Sequence, residues 1–74
     1  MSETRFLIEY DIPMDRRFAF YKALQRLKQR TQRFFTSTAS VVILDDEGLA
    51  WQVYKLAKRY GKANIWRATR LNGG

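Results

Sequence analysis

Pro13, the only proline in the chain, separates two periodicities, and this break constrains the fold more than any other feature. Upstream of it, Phe6, Ile8, Tyr10 and Ile12 alternate with Arg5, Leu7, Glu9 and Asp11. That two-residue repeat belongs to a strand with unlike faces. Proline fixes its own φ and pushes the residue before it out of helical geometry, so the strand stops at Ile12 and a helix can start directly after. Asp11 is thereby placed at a strand-to-helix edge, where a rigid element holds a side chain and the turn leaves it accessible.

From Asp15 the period becomes helical. Phe20, Leu24, Leu27 and Thr31 fall at i, i+4, i+7 and i+11, flanked by Tyr21 and Ala23. Lys22, Arg26, Gln29 and Arg33 repeat on the opposite side, with Arg30 beside them, and form a basic ridge. Charged helix faces are most often only solvated. Solubility, however, is served equally well by i,i+4 pairs of opposite sign, and no acid interrupts these cations, which points to a polyanionic partner.

The segment from Thr31 to Asp45 is rich in Thr, Val, Phe and Ile and lacks Gly, Pro and Asn, so it is strand-like without an ordinary hairpin signal. It reads as two short strands, about Gln32 to Ser37 and Ser40 to Leu44, turning near Thr38; one long strand is the competing reading. Asp45, Asp46 and Glu47 then suit a helix N-terminus better than a metal site. Leu49, Val53, Leu56 and Tyr60 give a second helix its apolar stripe, with Gly61 as its stop. Trp51, Lys55 and Lys58 fall outward, with Tyr54 and Arg59 at the margins. Trp51 there either stacks on a base or a partner, or covers the edge of the core. Lys62 to Leu71 alternates again as a last strand, and Asn72-Gly73-Gly74 forms a frayed tail.

The element order is therefore βαββαβ in a single α+β domain over residues 1–74. The expected fold is ferredoxin-like, an antiparallel sheet covered by two helices on one face. The opposite sheet face is left for RNA or a second subunit.

Composition narrows the chemistry. Fourteen Lys and Arg oppose seven Asp and Glu, a formal charge of +7, and the acids are confined to residues 3–15 and 45–47. Such segregation favours nucleic acid as partner. With no Cys and no His, thiolate and imidazole chemistry is excluded, and any metal would be a hard ion held by oxygen. No apolar run approaches the ~20 residues of a membrane span, and no signal-peptide core follows Met1, so the chain reads as cytoplasmic and off the membrane. At 74 residues the buried fraction of surface is marginal, and dimerisation would help.

Phe6-Leu7-Ile8-Glu9-Tyr10-Asp11-Ile12-Pro13, followed by Asp15-Arg16-Arg17 and a helix carrying Phe20-Tyr21 and Leu24, resembles the N-terminal strand-turn-helix of the small CRISPR-associated adaptation proteins, dimeric partners in spacer acquisition often described as endoribonucleases. The likeness is good over residues 6–27 and topological afterwards. Ser40-Val41 also matches a Ser-Val pair of the family's second strand, although that match leaves no room for a third strand before Asp45. The resemblance implies a ferredoxin-like homodimer in which Asp11 of each protomer faces a two-fold axis and holds one Mg²⁺ or Mn²⁺ near a phosphodiester. Arg16 or Arg17 would then clamp a phosphate. A turn residue bonding backbone N–H groups beyond Pro13 is an equal reading of Asp11.

For binding alone, Lys22, Arg26, Arg30, Arg33, Lys55 and Lys58, with Lys62, Arg67 and Arg70, supply sequence-independent phosphate contacts. The first expectation is thus a homodimeric nucleic-acid-binding protein with metal-dependent cleavage at Asp11. Its rival is a binding or protein-interaction module, a regulator or mobile-element protein, in which Asp11 is structural. A third reading, a ubiquitin-like modifier, rests on the terminal Gly73-Gly74; it is disfavoured because those folds open with a hairpin.

Overall fold

The alternation before Pro13 is realised as the central strand of a sheet. In the computed structural model, which describes residues 3–31, 35–38 and 40–70, β1 (Glu3–Asp11) is followed by α1 (Met14–Arg30), β2 (Phe35–Ser37), β3 (Val41–Leu44), α2 (Glu47–Tyr60) and β4 (Lys62–Arg70). The architecture is α+β, with a four-stranded antiparallel sheet in the order β2-β3-β1-β4 and two helices. β1 pairs with β3 from Phe6↔Leu44 to Glu9↔Val41, and with β4 from Glu3↔Arg70 to Asp11↔Lys62.

Phe6, Ile8 and Tyr10 of β1, with Ile12 just beyond it, are the buried set and join Val42 and Leu44 of β3. Phe20 and Leu24 of α1 and Leu49, Ala50, Val53 and Ala57 of α2 complete the same cluster. Tyr10 ties these layers together. Its ring lies 4.8 Å from that of Phe20, and its hydroxyl donates to the Thr38 carbonyl at 2.7 Å. Burial, with Tyr21 as the lesser cause, pushes its phenol pKa up to about 12.

Two strands, not one, occupy the segment before α2, and the turn between them needs neither Gly nor Pro. The Thr38 hydroxyl accepts from the Val41 N–H at 3.2 Å, while the Thr38 N–H donates to the Val41 carbonyl at 2.8 Å. A threonine side chain thus supplies the missing turn chemistry. Ser40-Val41 opens the third strand rather than the second.

α1 starts without a side-chain cap. Its entry is closed by the Arg16 N–H donating to the Pro13 carbonyl at 2.9 Å and by Arg17 Nε donating to the Ile12 carbonyl at 2.9 Å. α2 is capped as its acids predict, since Asp46 Oδ2 accepts from the Leu49 N–H at 3.1 Å. Its buried side takes only half of the expected stripe, Leu49 and Val53. Ala50 and Ala57 are fully buried, whereas Leu56 and Tyr60 only flank the core. Gly61 ends α2 in extended backbone, with φ −174°. What requires glycine there is proximity: a Cβ would collide with the Asp11 carbonyl and come within 3.0 Å of Ile12 Cα. Among the described residues, no helix is long and apolar enough to cross a membrane.

Candidate nucleic-acid interface

The two helices carry the same short pattern. Ala23, Arg26, Leu27 and Arg30 in α1 fall at i, i+3, i+4 and i+7, and Gln52, Lys55, Leu56 and Arg59 repeat that spacing in α2. Residues so spaced share one side of a helix. Here the two sides face one another across a groove of about 370 Å³. Ala23, Leu27 and Leu56 provide an apolar lining, and Arg26, Arg30, Lys55 and Arg59 provide four cations with no acid among the lining residues. Long basic side chains lay their methylenes along such a surface and keep their charged heads in water. Four like charges converging without a counter-charge create a positive potential that a row of phosphates neutralises.

Arg26, Arg30 and Lys55, expected among the phosphate contacts, are therefore brought together, and Arg59, placed by the sequence only at the margin of its helix, completes the set. Lys22 is exposed one turn before Arg26, with Nζ 6.0 Å from the Phe18 ring centroid. Arg33 lies outside the described residues. Trp51 departs from the expected grouping: it lines a different cavity, with Phe6, Ile65, Trp66 and Arg67, on the β4 side of α2. Lys58, seven residues on, shares the spacing of Trp51 and not that of the groove residues. The ring of Trp51 meets Tyr54 edge-on at 5.6 Å.

The turn beyond β1 gathers Asp11, Pro13, Arg16, Tyr60, Gly61 and Lys62 around a cavity of about 340 Å³. Asp11 and Arg16 are both exposed there, and Lys62 is the cross-strand partner of Asp11. Arg17 is committed by its Nε to the Ile12 carbonyl. The nearest acid on the same strand face, Glu9, accepts the Trp66 indole N–H at 2.6 Å. Among the described residues, no group of three or more acids, His or Cys could hold a metal ion. Asp11 shares a cavity of about 240 Å³ with Glu9, Lys62 and Asn64, and two carboxylates of one chain fall short of the oxygen ligands a hard divalent cation requires.

Comparison with protein-family models, with curated proteins and with solved structures found no match to this chain.

Proposed function

We propose that this chain is a ferredoxin-like domain that binds nucleic acid by its sugar-phosphate backbone in the groove between α1 and α2. The observation that carries this reading is the convergence of Arg26, Arg30, Lys55 and Arg59, from two helices, on one acid-free groove. The element order βαββαβ and the strand order β2-β3-β1-β4 support the fold reading. The groove lining contains no aromatic side chain, so base stacking on a ring is not part of the reading. One copy suffices for it. Cleavage, which would need the Asp11 carboxylates of two copies, is not drawn on.

The test is fluorescence anisotropy of labelled DNA and RNA duplexes of random sequence, titrated at several salt concentrations. Four phosphate contacts give a slope of log K on log salt of about −3.6 for B-DNA, and affinity is indifferent to sequence. Replacing both Arg26 and Lys55 with Ala should flatten the slope by about two, one for each contact. Salt-independent binding, or an unchanged slope in that variant, would remove the groove from the function.

A further inference from the structure

β4 lies at one edge of the sheet and is paired with β1 along all nine of its residues. Its other edge pairs with no described strand. Alternate N–H and C=O groups of such a strand point outward and can template a further strand. Long, straight edges are usually avoided or covered, and the opposite edge of this sheet, β2, has only three residues.

Both tryptophans of the chain flank this edge, one on each side of the sheet. Trp66 lies on the face opposite the core, is 56% exposed, and is held by its hydrogen bond to Glu9. Trp51 lies on the helix side, is 44% exposed, and is held edge-on by Tyr54. At this edge a cavity of about 280 Å³ opens between α2 and β4, lined by both tryptophans, Phe6, Ile65 and Arg67, with Glu47 at the α2 end. An unpaired strand edge beside an apolar pocket is the arrangement by which extended peptides add to sheets: backbone bonds give affinity, and pockets for alternate side chains give selectivity.

We propose that the β4 edge accepts an extended, acidic peptide segment of another protein as a fifth strand. The peptide places a large apolar side chain in the cavity between α2 and β4 and carboxylates against Lys62 and Arg67. Charge selects this occupant, because the charged residues of β4 are Lys62, Arg67 and Arg70, all cationic. A second copy adding here would bring another strand whose charged residues are all cationic, and like charges opposed across a ladder destabilise it. An acidic strand meets the same cations favourably. This surface lies on the far side of α2 from the α1–α2 groove, so the proposal stands apart from the nucleic-acid reading.

The experiment is selection of random dodecapeptides displayed on phage against the immobilised full chain. Synthetic versions of the recovered peptides are then titrated while tryptophan emission is followed. Recovered sequences should pair an aromatic or long aliphatic residue with flanking Asp or Glu, bind on the order of micromolar, and shift the emission to shorter wavelength. Trp51→Ala should weaken them roughly tenfold or more, Arg67→Glu should remove the preference for acids, and N-methylation of alternate peptide amides should abolish binding. Both substituted positions are exposed, so folding is retained and is checked by circular dichroism. The proposal is overturned if no sequence rises above background, if recovered sequences lack acids, or if Trp51→Ala binds them like the native chain. It is equally overturned if the emission shift follows self-association on concentration, or if single-stranded oligonucleotides displace the peptides.

Discussion

Gly61 joins α2 to β4 where both run against the backbone of Asp11 and Ile12, and the side chain it lacks has nowhere to go. Gly61→Ala should destabilise the domain by about 1–3 kcal/mol, the usual range for overpacking; urea denaturation measures it, and an unchanged midpoint would contradict the close approach. Tyr10→Phe removes the bond to the Thr38 carbonyl and should cost about 1 kcal/mol. The raised pKa of Tyr10, about 12, also sets a pH dependence. A proton held more tightly by the folded state stabilises it fully below the ordinary phenol value of about 10, and that contribution is lost as pH rises from there toward 12. Thermal unfolding of Tyr10→Phe between pH 9 and 12 should therefore decline less than that of the native chain. Asp11→Ala should leave duplex affinity unchanged or slightly tighter. The positions of these residues were legible in the sequence, but their reasons were not: Gly61 reads as a helix stop, yet only the passing backbone of β1 shows why a methyl group is not tolerated.

At the scale of elements, β1, β4 and both helices followed from period, β2 and β3 from their richness in Thr, Val, Phe and Ile, and the β2–β3 turn was located without its mechanism, because a Thr38 hydroxyl does the work usually signalled by Gly or Asn. The face of α2 was misjudged for a physical reason. Of its stripe of large residues, Leu49, Val53, Leu56 and Tyr60, the first two are buried, but they share that side with Ala50 and Ala57 and not with Leu56 and Tyr60. Small side chains let a helix approach the sheet closely while carrying little weight in a hydrophobic pattern. That rotation turns Leu56 and Arg59 into the groove and Trp51 toward β4. The repeated spacing of Arg26-Leu27 with Arg30 and of Lys55-Leu56 with Arg59 was the available signal. Lys55→Glu should accordingly weaken duplex binding more than Lys58→Glu in a side-by-side anisotropy titration, although the two changes alter net charge equally. Equal losses would mean that the field of the whole molecule, and not the groove, attracts the ligand.

For the molecule as a whole, the segregation of charge was visible from residue order, and the fold explains how it concentrates: two basic helices from separate stretches of chain lie side by side. The sheet's pairing order is a long-range property, and only its element sequence could be read in advance. The central claim is that placement of charge, not its amount, creates the binding site. It is tested most directly by two variants of equal charge. One replaces the groove cations Arg26, Arg30, Lys55 and Arg59 with Gln; the other replaces Arg16, Lys28, Lys58 and Lys62. Each removes four charges, taking +7 to +3 (7 − 4 = 3). The groove variant should lose the salt slope of about −3.6 while the second retains most of it. Equal slopes in the two variants would contradict the claim.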